Sequence, residues 1–437
     1  MKPGVMMASH EGTKTRRIET RRLRFLFDTK SGATPSSGVE EYWDGDINWV
    51  TPEDLGKLES RYIQDTRRSI TEEGYKNCGV SLVPADSLIL SKRAPIGLVA
   101  ILSVDATCNQ GCFLLTKQND VDERFYYYAL LYLRPLLEIL GRGSTFMELS
   151  ADDLRSVRLP YPDVETQRLI AGYLDRETAR IDALVAEKEQ MLALLEEKRA
   201  ALISRAVTRG LDPTAPLKPS GLDWLGDIPA HWEVWRLKYL AEVRGGLTLG
   251  KKYSRNDLIE MVYLRVANVQ DGYLKLDEMQ TVEVTPEEAE NYLLQHGDVL
   301  MNEGGDIDKL GRGCVWREEI KSCLHQNHVF SVRPRLVEPE WLALWTSTLE
   351  AKRYFEQRAK RSTNLASISG TNIKELPVPM PSMDEQLSIK THIEISTKKI
   401  LAIQLEMQQS IERLKERRAA LITAAVTGQI SVEEMQT

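Results

Sequence analysis

The chain has 437 residues, 42% hydrophobic and 28% charged, with a formal net charge of −7. That length allows about two to four domains of an ordinary folded protein, no apolar run approaches the ~20 residues of a membrane span, and the acidic balance excludes a protein that coats nucleic acid with its whole surface. Five cysteines, an odd number without a Cys-x-x-Cys pair, exclude a disulfide framework or structural zinc site and point to the cytosol.

Block one, residues 1–153, begins with an Arg-rich extension (residues 1–20) that lacks a signal-peptide core. A basic amphipathic phrase, Arg21-Arg-Leu-Arg-Phe-Leu-Phe27, leads into a Gly/Thr turn at Ser31-Gly-Ala-Thr-Pro35 and an apolar strand at Ile47-Asn-Trp-Val-Thr51. An acidic turn precedes β-rich residues at Pro84-Ala-Asp-Ser-Leu-Ile-Leu90. The polar bend Asn109-Gln-Gly111 precedes another apolar strand, and Gly143-Ser-Thr145 closes the block.

Residues 154–212 change character. Val157-Arg-Leu-Pro-Tyr-Pro162 is predicted to be extended, because proline restricts the residue before it. Asp163 is the expected N-cap of a helix from about Glu165 to Val207, some 43 residues and about 65 Å long. Its apolar residues Ile170, Leu174, Ile181, Leu184, Met191, Leu195 and Leu202 repeat with 3-4 spacing, with Glu177, Lys188 and Lys198 interrupting, as in a coiled-coil seam. The Gly210–Pro219 stretch, rich in proline, breaks the helix and serves as a linker.

Block two, residues 213–372, repeats the layout of block one. Its phrases are Trp232-Glu-Val-Trp-Arg-Leu-Lys-Tyr-Leu240, Arg244-Gly-Gly-Leu-Thr248, Val262-Tyr-Leu-Arg-Val-Ala-Asn268, His296-Gly-Asp-Val-Leu-Met301, His325-Gln-Asn327 and Arg361-Ser-Thr-Asn364. Residues 373–437 then form a second spacer, with the extended phrase Leu376-Pro-Val-Pro-Met-Pro381 and an expected N-cap at Ser382. Its stripe is Ile389, Ile393, Ile400, Ile403, Met407, Leu414 and Leu421.

The two spacers are copies. Pro160 and Pro379, Gln167 and Gln386, Ile181 and Ile400, and Leu202 and Leu421 all stand 219 residues apart, without a gap. So long a period excludes a solenoid, whose repeats run about 20–50 residues. The expected fold is α+β: two mixed α/β domains, separated by two long helices that form an antiparallel coiled coil, with internal pseudo-twofold symmetry.

Basic and amide side chains gather at the predicted loop tips. Lys92, Arg93, Asn109, Gln110, Ser144 and Thr145 in block one are candidate DNA contacts. Their counterparts in block two are Arg265, Asn268, Lys309, Arg312, Gln326, Asn327, Thr363 and Asn364. Arginine suits the guanine edge, Asn and Gln suit adenine, and Lys, Ser and Thr suit phosphates. No phosphate-binding Gly-x-x-x-x-Gly-Lys-Ser/Thr loop is present. Cys323, His325 and His328 lie on one short strand and cannot surround a tetrahedral metal, so neither catalytic residues nor metal ligands are expected.

In this order, several phrases resemble the specificity subunit of Type I restriction-modification enzymes. They include Tyr42-Trp-Asp-Gly-Asp-Ile-Asn-Trp-Val-Thr-Pro-Glu-Asp-Leu55, Trp224-Leu-Gly-Asp-Ile-Pro-Ala-His-Trp-Glu-Val234 and Tyr263-Leu-Arg-Val-Ala-Asn-Val-Gln-Asp-Gly272. The others are Gly297-Asp-Val-Leu-Met301, Gln386 in its proline-rich setting, and the two Ala-Ala-Leu-Ile-x-x-Ala-Val-Thr endings. The resemblance implies a non-catalytic cytoplasmic reader of double-stranded DNA, with two target-recognition domains each binding half of a split, asymmetric sequence and the helices setting the gap. It further implies two modification subunits that methylate adenine with S-adenosylmethionine, and restriction subunits that use ATP and magnesium to translocate and cut. The extension at residues 1–20 has no match in block two. A competing reading is a coiled-coil scaffold that spaces two protein-binding domains; salt-dependent DNA affinity separates the two.

Overall fold

The computed structural model describes residues 18–141, 147–253, 257–305, 310–361 and 366–436. The chain divides into two units, Met1–Glu189 with Gln409–Thr437, and Gln190–Gln408. Each unit therefore combines one variable block with parts of both long helices.

The two main sheets of the first unit are built from β1 (Phe27–Ser31), β2 (Trp43–Val50), β3 (Tyr62–Ile63), β4 (Ser69–Ile70), β5 (Leu88–Ser91), β6 (Val99–Leu102), β7 (Ala106–Cys108) and β8 (Cys112–Lys117). One sheet has the order β1-β8-β5-β6-β3 and a second has β4-β2-β7, in which β2 and β7 are parallel. Strands β5 and β6 are buried along their whole length, which is why Leu88–Leu90 and Val99–Leu102 read as apolar runs without alternation. Helix α1 (Glu123–Leu140) covers the first sheet. It starts at Asp122, whose carboxylate accepts from the backbone N–H of Arg124 and Phe125, and buries Phe125, Tyr126, Leu130 and Leu137.

The second unit contains β9 (Ala241–Arg244), β10 (Ile259–Leu264), β11 (Gln280–Val284), β12 (Val299–Asn302), β13 (Gly313–Val315), β14 (Cys323–His325) and β15 (Val329–Pro334). Its sheets have the orders β9-β15-β12-β13 and β11-β10-β14, and in the three-stranded sheet the pair β10 with β14 is again parallel. The core is richer in tryptophan than that of the first unit: Trp232, Trp341 and Trp345 are fully buried, the last two on a helix from Pro339 to Ser347.

The long helices are α2 (Val164–Arg209) and α3 (Met383–Val426). Both expected caps form. The Asp163 carboxylate accepts from the N–H of Thr166 at 2.9 Å, and the Ser382 hydroxyl accepts from that of Glu385 at 3.3 Å. The proline phrases are strands, Arg158–Pro160 pairing with Thr20–Arg22 and Pro377–Met380 with Glu233–Arg236.

The repeated glutamines have a shared structural task. Gln167 is buried, accepts from the N–H of Asp122 at 2.9 Å and donates to the Pro162 carbonyl at 2.8 Å. Gln386 does the same with Glu338 N–H at 3.1 Å and Pro381 O at 3.0 Å. Each therefore ties the start of a long helix to the start of the helix that covers its unit's sheet.

The inward line of the long helices differs from the expected a/d stripe. Ile181, Leu195, Leu202, Ile389, Ile393, Ile400, Met407, Leu414 and Leu421 are turned inward as expected. Leu184, Met191 and Ile403 are exposed, and the next residue in each case, Val185, Leu192 and Gln404, takes the inward place. The same shift brings in Arg199 and Arg418. It leaves Lys198 in solvent and gives Arg418 a carboxylate, Asp182, at 2.8 Å. In the first unit Asp182 pairs with Arg418 and Glu189 with Lys415, so contacts advance along α2 as they retreat along α3. In the second unit Gln404 donates to Glu196 at 3.2 Å.

Candidate nucleic-acid interface

In each unit the predicted contact loop is built at one corner, and the corner is the same in both. Its base is the end of the parallel strand pair. In the first unit Asn109 N donates to Val50 O and Ala33 N to Cys108 O; in the second, Gln326 N donates to Leu264 O and Leu247 N to His325 O. A strand end lies beside it, where Lys92 N donates to Gly111 O at 2.8 Å and Glu303 N to His328 O at 2.9 Å. Leu149 N to Lys92 O and Ile368 N to Glu303 O complete the frame.

Glycine is required where the turn after the first strand meets this loop. A Cβ on Gly32 would collide with the Asn109 and Cys108 carbonyl oxygens, and one on Gly246 with those of Gln326 and His325. The Gly/Thr turn seen in both blocks is thus the seat of the contact loop, and it brings Thr34 to Gln110, whose side-chain oxygen accepts from the Thr34 hydroxyl.

Among the residues singled out from sequence, Gln110 is exposed and Asn109, Gln326 and Asn327 are half-buried at the same loop. Asn109 shapes its own bend, its side-chain oxygen accepting from Gly111 N at 2.8 Å. Lys92 and Arg93 converge on one carboxylate, Glu148, with Nζ to Oε1 at 2.9 Å and Nε to Oε2 at 3.1 Å. The hydrogen bond from Lys92 and the charges of both cations hold the Glu148 carboxyl below its usual range. Lys92 is mostly covered, at 13% side-chain exposure, whereas Arg93 is at 49%.

Other expected contacts do different work. Asn268 is buried: its amide donates to the Lys275 carbonyl at 2.9 Å and its oxygen accepts from Arg265 N at 2.9 Å. It pins its own loop, which corrects the expectation that it offers an edge to a base. Arg265 donates to the Glu278 carbonyl at 3.0 Å, and Arg312 donates to the Gln270 side chain. Ser144, Thr145, Lys309, Thr363 and Asn364 lie outside the described residues.

Three residues at the corner were not among the expected DNA contacts: Glu148, Glu303 and His328, the last weighed only as a metal ligand. Glu303 and His328 form a pair, Oε2 to Nδ1, at 2.7 Å. The only signal for them was the parallel layout of the two blocks, which puts Glu303 opposite Lys92 and His328 just after the second polar bend. Among the described residues no cluster of His, Cys, Asp and Glu is set to hold a metal, and no helix is long and apolar enough to cross a membrane.

A family model described as the type I restriction modification DNA specificity domain matches residues 16–193 and again residues 229–413. The chain belongs to that family. Its role is DNA target recognition within a type I restriction-modification system. It is 32% identical over 257 residues to the type I restriction enzyme MjaIX specificity subunit of Methanocaldococcus jannaschii, a match covering 58% of each chain. The EcoBI specificity subunit of Escherichia coli is 23% identical over 364 residues, 81% of this chain and 76% of that one. The EcoKI specificity subunit of Escherichia coli K12 is 23% identical over 393 residues, 86% of this chain and 81% of that one. A solved chain from work on complex assembly and conformational transition of the type I R-M system covers 95% of this chain and 99% of its own length. Its TM-score is 0.70 at 15% identity, a likeness of fold.

Proposed function

We propose that this chain reads a bipartite, asymmetric DNA target, one half with each unit, and carries no catalytic step itself. In this reading two modification subunits assemble on it and methylate adenine with S-adenosylmethionine, while restriction subunits use ATP and magnesium to translocate and cut. The long helices set the unread gap and dock the modification subunits. Leu194, Ile395, Leu401 and Leu405, each more than half exposed, are candidate docking residues.

The observation that carries the reading is the corner itself. One backbone frame occurs twice, held by matched hydrogen bonds, and presents different side chains each time. Two equal frames with equal side chains would read a palindrome; two with different side chains read two different half-sites. Arg93, Asn109 and Gln110 are the proposed contacts in the first unit, and Gln326 and Asn327 in the second. Lys92 supports Arg93 by sharing its carboxylate. Ser144, Thr145, Lys309, Thr363 and Asn364 stay proposed on sequence grounds.

Titration of the purified full chain with duplex DNA across a salt series tests DNA binding. Phosphate contacts release counterions, so affinity should fall steeply as salt rises. A salt-independent affinity, or none, would favour a protein scaffold.

A further inference from the structure

The two corners carry opposite charge at one position. In the first unit Lys92 and Arg93 follow β5; in the second, Glu303 and Gly304 follow β12. The hydrogen bonds that fix the backbone are duplicated, so Glu303 stands in the place of Lys92, and His328 in the place of Gly111.

A carboxylate on a surface offered to DNA is repelled by phosphate oxygens and has no use as a backbone contact. Its use is to accept from an amino group on a base edge, and cytosine N4 and adenine N6 are the amino groups in the major groove. His328 holds only one Glu303 oxygen, Oε2, at 2.7 Å; the other, Oε1, meets no partner among the described residues. In the first unit the polarity is reversed. The Glu148 carboxylate is taken up by two cations, and Arg93, held through Nε at 3.1 Å, keeps its Nη edge for the paired acceptors of guanine.

We infer that Glu303, oriented by His328, is a specificity-determining residue of the second unit that accepts from one exocyclic amino group, and that Arg93, oriented by Glu148, reads guanine in the first. The inference rests on the DNA-recognition reading above and adds the chemistry each half selects.

The test is enrichment of bound sequences from a randomised duplex pool by the full chain, wild type beside Glu303→Ala, Glu303→Gln, His328→Ala and Arg93→Ala. In wild type one column in one half should demand cytosine or adenine, and one in the other half guanine. Glu303→Ala should weaken the first preference roughly tenfold, the order a single base contact supplies, and leave the other half intact. Glu303→Gln separates the sources: a cytosine column should turn toward adenine, whereas an adenine column should persist. His328→Ala, which leaves the carboxylate in place but unoriented, should weaken the same column, so the outcome does not hang on one variant. Arg93→Ala should relax only the guanine column. Unchanged columns in Glu303→Ala and His328→Ala, beside a clear wild-type motif, would overturn the inference and leave DNA recognition standing. No motif in wild type would remove the DNA reading itself, and the inference with it.

Discussion

His325 and Cys108 hold one position in the two units and meet it with different chemistry. The Cys108 thiol reaches the Cys112 carbonyl at 3.7 Å, and His325 Nδ1 reaches the Val329 carbonyl at 2.7 Å. Both are buried, but only the imidazole makes burial depend on pH in the acid range. Burial pushes His325 down to about 4, while in the unfolded chain it protonates near its ordinary value of 6.5. Between those values unfolding takes up a proton, so the native state loses up to about 1.4 kcal/mol for each unit that pH falls. His325→Cys removes this term. Denaturant unfolding at pH 7 and at pH 4.5 should therefore show wild type losing about 2 kcal/mol more than the variant; equal losses would show that His325 is not buried as a neutral group. The buried glutamines give a second residue-scale prediction. Gln386→Leu keeps much of the volume but strands the Glu338 N–H and the Pro381 carbonyl, and should cost about 1–3 kcal/mol for each group left unpaired. Gln167→Leu should do the same in the first unit, and a loss below about 0.5 kcal/mol in either would mean that water replaces the tie.

At the scale of elements, the long helices show what periodicity can and cannot fix. Their existence, caps and seven-residue repeat were legible, because the caps are local chemistry and Ile181, Leu195 and Leu202 recur at sevens. The second inward line was not. Leu184 and Val185, like Met191 and Leu192, offer two apolar neighbours, and the packed partner, not the sequence, decides between them. At Ile403 and Gln404 the fold even takes the polar residue inward, where it finds Glu196. Two isoleucines test this arrangement directly. Ile411→Ala, at a site 5% exposed, should cost about 2–4 kcal/mol, while Ile403→Ala, at 43%, should cost well under about 1 kcal/mol. Equal costs would restore the simple a/d stripe.

For the whole molecule, the duplication was plain in the spacers and faint in the variable blocks. The spacers keep one offset of 219 residues, so identities line up without gaps. In the blocks the matched positions slide: Val50 answers to Leu264, Lys92 to Glu303 and Asn109 to Gln326, each pair at a different separation. Backbone hydrogen bonds survive such slippage and residue identity does not, which is why the matching bends could be aligned from sequence while the places of Glu303, His328 and Glu148 in the corner could not. Side-chain burial was equally hidden, since Asn268 looks like any loop asparagine until its amide is seen holding two strands of the loop together. The central claim, that two frames read two different half-sites, is tested most directly by exchanging residues 213–372 for the corresponding block of a relative. The full chain would be produced with its modification subunits, and the methylated adenines mapped by single-molecule sequencing. The account predicts a split, asymmetric motif in which the exchange rewrites one half and leaves the other half unchanged. A continuous motif, or an exchange that rewrites both halves, would contradict it.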